Sequence, residues 1–244
     1  MIRGTMATHN VLADRDFRWR GTEISRLEGF SDAVFAFAVT LLVVSLEVPR
    51  TFIELMTAMR GFAAFAICFA ILAQIWFKHY RFFRRYGLQN SWAVFLNCLL
   101  LFFVLFYVYP LKFLFSGLFS SYGRIESSEA RTLLVIYGAG YAAVFGVFAL
   151  LHLEAWRQRD ALDLNPLERL KTRHSIIEQI AMVAIGLISI VLALTLPANL
   201  VGLAGWFYIV ISLYYAIAGS ILGKRERLLA QATGALQQKL DPRP

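Results

Sequence analysis

The sequence predicts an all-α membrane protein with six transmembrane helices per subunit. Three observations lead there. Only 16% of the 244 residues are charged and 59% are hydrophobic, against about 25% charged in soluble domains. The charges gather between apolar runs, and each run is long enough to cross a hydrocarbon core of roughly 30 Å at about 1.5 Å per residue. The runs do not alternate polar and apolar positions as transmembrane strands do, so each reads as a helix. What remains outside them is too short for a soluble domain.

The runs are approximately Phe30–Val48, Gly61–Phe77, Trp92–Phe115, Thr132–Leu153, Ile176–Leu196 and Leu200–Leu222. Ser25-x-x-Glu28 is a capping box, so the first helix starts near Arg26, and Pro49 stops it. No small-x-small cleavage site follows this run, so it reads as a span and not a removed signal. Residues 50–60 form a short outer loop or an interfacial helix. The second run ends in "QIWFKHYRFFRRYG", an aromatic and basic belt of the inner interface. The third ends near Pro110, with residues 111–129 as the second outer loop.

The fourth run contains "YGAGYAAVFG". An ordinary potassium filter needs Thr-Val-Gly-Tyr-Gly on a re-entrant loop. Gly138, Ala142 and Gly146 instead fall four apart, on one face of a spanning helix, which is a close-packing stripe. Gly219 and Gly223 repeat the device in the sixth run. Asp163 to Arg173 is a charged inner loop broken by Asn165-Pro166. The short, uncharged "PANLVGLAG" joins the last two runs as an antiparallel hairpin.

Nineteen of the 24 Lys and Arg residues lie in the N-terminal segment, the second and fourth loops and the C-terminal tail. The positive-inside rule then places both termini in the cytoplasm. The chain divides into a cytoplasmic segment over 1–24, polar and poorly ordered, a six-helix membrane domain over 25–223 and a cytoplasmic tail over 224–244. The net charge of +8 follows membrane topology, so no nucleic-acid partner is expected; the lipid bilayer is. Cys68 and Cys98 lie inside runs two and three and read as buried small hydrophobes, since a metal site needs more ligands at tighter spacing. No metal or cofactor is expected.

On a helical wheel of the first run, Arg26, Phe30, Ala33, Phe37, Thr40, Leu41, Val44 and Val48 fall within roughly 60° of Phe37, and Asp32 lies about 140° away. One face is thus apolar with a single hydroxyl. Another carries a carboxylate that protein must satisfy, because an acid in the membrane costs at least about 2.5 kcal/mol at the bilayer centre and less near an end. The second helix runs inward and the third outward, so His79 and Asn97 reach the depth of Asp32. Arg26 and Ser31 are nearby. These residues predict a hydrogen-bonded cluster that holds the first helix. A catalytic reading is disfavoured: no nucleophile stands beside the acid and histidine, and no H-E-x-x-H occurs. A proton-coupled carrier titrating Asp32 and His79 is the alternative of a different class.

At these residues the sequence resembles the transmembrane protein 175 type of potassium channel, in its prokaryotic form. Its signature, Arg-x-x-x-Phe-Ser-Asp at the head of the first helix, reads here "RLEGFSD": Arg26, Phe30, Ser31, Asp32. Trp76 and His79 match near the end of the second helix, Asn97 in the third, and Pro110 at that helix's far end. The resemblance implies a homotetramer of six-helix subunits in the cell (inner) membrane, with the first helix of each lining a central pore. It implies a leak-type, potassium-selective channel without an ordinary filter, K⁺ being the permeant ion. Carried over by position, the innermost hydrophobic ring falls at Phe37, the threonine implicated in selectivity at Thr40, and further rings at Leu41 and Val44. The family carries Ile or Leu where this chain has Phe37.

Overall fold

The computed structural model describes residues 17–21, 23–44, 50–60, 62–119, 127–216 and 218. The helices are α1 (Arg26–Val44), α2 (Phe52–Arg60), α3 (Phe62–Tyr86), α4 (Ser91–Phe119), α5 (Ser127–Arg157), α6 (Pro166–Thr195) and α7 (Gly202–Trp206), with 3-10 turns at Ala198–Leu200 and Phe207–Ile209. No strand occurs among the described residues.

Among the described residues, five helical segments are long and apolar enough to cross a membrane: Phe62–Tyr86, Ser91–Leu114, Glu129–Arg157, Pro166–Thr195 and Ala198–Ala216. They correspond to the second through sixth predicted runs. The first corresponds to α1, described through Val44. The predicted stop at Pro49 and the glycines Gly219 and Gly223 lie outside the described residues.

Four helix ends have local causes; the first two agree with the sequence reading, and the last two, at Pro110 and Asn165-Pro166, differ from it. The short segment after α1 is a helix, opened by Thr51, whose Oγ1 accepts from Glu54 N, and by Glu54, whose Oε2 accepts from Arg50 N. The inner belt continues α3 to Tyr86, where Gly87, at φ 59°, takes the left-handed position that ends the helix; its N–H donates to Phe83 O at 2.8 Å. α4 runs through Pro110 to Phe119, so that proline sits inside the helix and does not end it. Such prolines persist in spans because neighbouring groups take up the freed carbonyl. Asn165-Pro166 starts α6. Asn165 is the N-cap, its side chain accepts from Glu168 N, Glu168 reaches back to Asn165 N, and Pro166 sits in the first turn. Residues 166–173 are therefore helical, not loop.

Packing runs as a series: α1 lies against α3 and α4, α4 against α5, α5 against α6, and α6 against α7. α1 is thus at one edge of the bundle. The predicted glycine stripe meets α6: a Cβ at Gly138 would come within 2.7 Å of Ile190 Cγ1 and 3.1 Å of Gly186 O. Past Pro197 the chain turns back on α6, and Ser189 Oγ donates to Ala204 O at 2.9 Å. Cys68 is buried, but Cys98 is exposed, which corrects its reading as a buried residue.

In the segment before α1, residues 17–21 also correct the reading of poor order, and residues 1–16 lie outside the described residues. Phe17 enters the main core and meets the Tyr86 ring edge-on at 5.5 Å. The Arg20 guanidinium grips Glu168 at 2.7 and 3.1 Å and donates to Leu162 O and Asp163 O. This strap ties α6 to α3, since Arg20 and Gly21 also donate their backbone N–H groups to Arg84 O. Its partners lie far away in sequence, so no local pattern announced it.

Candidate pore-lining helix and its polar anchor

α1 begins as its capping box dictates. Glu28 N donates to Ser25 Oγ at 3.1 Å, and Glu28 Oε2 accepts from Ser25 N and Oγ at 2.9 and 3.0 Å. From there its two faces separate. Glu28, Ser31, Phe35, Ala38 and Leu42 are buried, alternating three and four residues apart, so they form one stripe against α3 and α4. Arg26, Gly29, Phe30, Asp32, Ala33, Ala36, Phe37 and Thr40 are exposed.

The buried stripe is fixed by a chain of polar groups. His79 Nε2 and Asn97 Oδ1 are 2.7 Å apart. The amide oxygen can only accept, so Nε2 carries the proton. Asn97 Nδ2 donates to Ser31 Oγ at 2.9 Å, and Ser31 donates to Leu27 O at 2.8 Å. One side chain each from α3, α4 and α1 thus forms a relay in which every link is satisfied. Phe35 and Phe83 wall the histidine at 5.6 and 4.7 Å between ring centres. Buried in apolar surroundings, such a relay is costly to interrupt and so holds one register of α1.

Asp32 lies outside this relay. It is exposed, and its Oδ1 accepts from Trp76 Nε1 at 2.8 Å. Arg26 is exposed and makes no hydrogen bond or ion pair among the described residues. Of the predicted cluster, Ser31, His79 and Asn97 come together, Asp32 pairs with Trp76 beside them, and Arg26 and Phe30 point away. The wheel shows why: Ser31 sits near the middle of the buried arc, Asp32 at its edge.

The predicted stripe divides less evenly. Phe37 is 57% exposed and Thr40 is exposed. Leu41 is half-buried against the core. α1 is described through Val44, whose side chain lies outside the described residues. Thr40 donates its hydroxyl proton to Ala36 O at 2.9 Å, which leaves its oxygen lone pairs outward. At the far end Lys112 of α4 donates to Leu42 O at 3.0 Å, holding that end of α1 as the relay holds the other.

The sequence reading missed one feature of this face. Gly29, Ala33, Ala36 and Thr40 place small side chains along it at helical spacing, and nothing lies within 4 Å of a Cβ built at Gly29. Such stripes let two helices approach closely.

Residues 26–107, which hold α1, α3, most of α4 and the whole relay, match the family model described as "Endosomal/lysosomal potassium channel TMEM175". A protein of Marivirga tractuosa named potassium channel is 39% identical over 233 residues, covering 88% of this chain and 94% of that one. This chain belongs to the TMEM175 family. A potassium channel of Chamaesiphon minutus is 29% identical over 150 residues, 58% of this chain and 68% of that one. Two solved TMEM175 structures share the fold. One is a variant of the potassium channel MtTMEM175 in complex with a nanobody–MBP fusion, at TM-score 0.76 and 37% identity over 87% of this chain and 99% of that one. The other, described as a lysosomal potassium-selective channel TMEM175 homolog from Chamaesiphon minutus, gives TM-score 0.55 and 26% identity over 79% and 95%. These TMEM175 relatives are channels, not enzymes.

Proposed function

We propose that this chain is a potassium-selective, leak-type channel of the cell membrane. Four copies assemble around an axis lined by α1, each copy crosses six times, and both termini face the cytoplasm. The observation that carries the reading is the division of α1. Its own subunit fully satisfies one face and leaves the other open, although that open face holds a carboxylate, a hydroxyl and a stripe of small residues. Lipid is a poor solvent for Asp32, whereas neighbouring copies and a water-filled axis suit all three. The 19 residues of α1 extend roughly 28 Å at 1.5 Å per residue, enough to cross the hydrocarbon core as the sixth span.

Conduction follows from the side chains of that face. A ring of Phe37 side chains is apolar and gates by expelling water. Thr40 turns its hydroxyl proton into its own helix and offers oxygen lone pairs to a partly dehydrated cation. K⁺ holds its water less tightly than Na⁺, so a narrow apolar neck followed by hydroxyl oxygens favours K⁺. No cage of carbonyls replaces all the lost water, so the preference is modest. The carrier alternative asks Asp32 and His79 to exchange a proton. They share no hydrogen bond: His79 is committed to Asn97 and Asp32 to Trp76.

Purified protein in liposomes tests the function. K⁺ flux that collapses a diffusion potential without a second solute, at rates too fast for a carrier cycle, is the expected result. Saturable flux that requires a co-substrate would overturn it.

A further inference from the structure

The joined ends of α5 and α6 carry guanidinium groups gathered around one indole. Trp156 lies in the last turn of α5, and the Arg159 and Arg173 guanidiniums stand 5.2 and 5.7 Å from its ring centre. Arg173 belongs to α6, so the indole ties the two helices together at this end. Arg157 is the last residue of α5, and Arg169 is linked to Arg159 through Asp160. We propose that this patch and the apolar seam below it bind an acidic phospholipid, with the phosphate on the arginines and the acyl chains along α5 and α6.

The contacts of the patch leave it short of negative charge. Arg159 and Arg169 share one carboxylate, Asp160, at 3.7 and 2.8 Å. Arg157 reaches Glu154 only at 3.9 Å, and Glu154 also accepts from Asn90 and Gln158. Arg173 makes no hydrogen bond or ion pair among the described residues; the indole face is its contact. Asp163 and Glu168, the other carboxylates of this turn, are held by Arg18 and Arg20. Four guanidiniums thus face two carboxylates, Glu154 and Asp160, and two positive charges stay unmatched among the described residues. A guanidinium held over a ring face keeps its N–H donors free, and its planar fork matches the oxygens of a phosphate.

The side chains next to the patch identify the source of that phosphate. On α5, Leu150 and Leu153 come seven and four residues before Arg157; on α6, Ile177 and Ile180 come four and seven residues after Arg173. Each set therefore shares one helix face with its arginine. All four apolar side chains are exposed. A soluble anion gains nothing from them, whereas acyl chains do. α5 and α6 are both long and apolar enough to span, so their joined ends lie at headgroup level. Tryptophan is enriched at that boundary, and basic clusters there attract acidic headgroups. The packing series runs from α1 through α3 and α4 to α5 and α6. The seam is thus remote from α1, which favours lipid over a second copy of the chain.

Native mass spectrometry of the full-length protein in detergent, with phosphatidylglycerol or phosphatidylcholine of the same acyl chains added, tests the site. Phosphatidylglycerol should be retained preferentially. Arg173→Gln and Arg157→Gln should each weaken its retention about fivefold, the size of one basic residue at an acidic surface. Ile177→Ser should weaken it as well, through the acyl chains. Arg50→Gln, which removes an equal exposed charge from the segment between α1 and α2, should leave it unchanged. All four substituted residues are exposed, so the melting temperatures of the lipid-free variants should equal the parent's, which separates lost binding from lost fold. Equal retention of the two lipids, or arginine variants that retain phosphatidylglycerol as the parent does, would overturn the proposal. Displacement of the lipid by millimolar pyrophosphate, with Ile177→Ser matching the parent, would assign the patch to a soluble anion and overturn the acyl half. A changed subunit count in the variants would make this face a contact between copies and overturn lipid occupancy. The readouts are binding and mass, so they stand whether or not the chain conducts.

Discussion

At the scale of residues, Phe37 and Thr40 are the positions where side-chain chemistry should be read directly as current. Phe37 is 57% exposed in its own subunit. Truncating it opens no cavity there, and Phe37→Ala should change protomer stability by no more than about 0.5 kcal/mol, as for surface sites. A buried phenylalanine would instead lose about 3–5 kcal/mol. With folding intact, single-channel recording should show higher conductance and weaker discrimination between K⁺ and Na⁺, because a wider neck lets ions keep more water. Unchanged conductance in well-folded protein would take Phe37 out of the pore. Thr40→Val keeps the branched shape and removes the outward oxygen. Its reversal potential under bi-ionic K⁺/Na⁺ conditions should move toward zero while conductance changes little.

At the scale of elements, two polar devices hold helices in place, and they differ in how far burial strengthens them. Asn97 joins α1 to α3 through both ends of its amide. Asn97→Leu preserves volume but strands His79 Nε2, at about 1–3 kcal/mol, and removes the donor to Ser31 Oγ while leaving that hydroxyl its bond to Leu27 O. Thermal unfolding followed by circular dichroism should show a clear loss, and a melting point equal to the parent's would remove the relay as the anchor of α1. The strap before α1 makes a sharper comparison. Arg20 and Glu168 form an ion pair with side chains 11% and 1% exposed, whereas Arg18 and Asp163 pair at 61% and 88% exposure. Arg20→Met leaves a carboxylate buried without its cation and should cost about 3 kcal/mol. Arg18→Ala should cost at most about 1 kcal/mol, since exposed pairs are screened by water. Denaturant midpoints of the two variants give the ratio directly.

At the scale of the whole molecule, assembly decides whether the open face of α1 becomes a pore. Multi-angle light scattering in detergent should give the mass of four copies of the 27.6 kDa chain. Asp32→Asn bears on the same question. Asparagine keeps an oxygen for Trp76 Nε1, so the subunit should fold as before, and only the charge is lost. The expected result is a smaller assembly, or an intact one with little current. An unchanged mass and unchanged flux would leave assembly to the small-residue stripe of Gly29, Ala33 and Ala36.

The sequence by itself determined the helical membrane class, the start of α1, the contrast between its faces and the residue types of its anchor. All of these are local or periodic signals: apolar run length, a capping box three residues wide, and spacing around a wheel. Depth, inferred from the direction of each run, was enough to bring His79 and Asn97 to the level of Asp32, with Ser31 nearby. Only the tertiary structure decided that Asp32 stands apart with Trp76, that Leu41 turns halfway into the core, that Asn165-Pro166 begins a helix and Pro110 does not end one, and that Phe17 and Arg20 dock the segment before α1. It alone also set Arg159 and Arg173 against the one indole of Trp156. The physical reason is the same in each case. A wheel gives the angle of a side chain but not the angles of its neighbours, and a hydrogen bond of 2.7 Å between residues far apart in sequence, such as Arg20 and Glu168, exists only once packing has fixed both backbones.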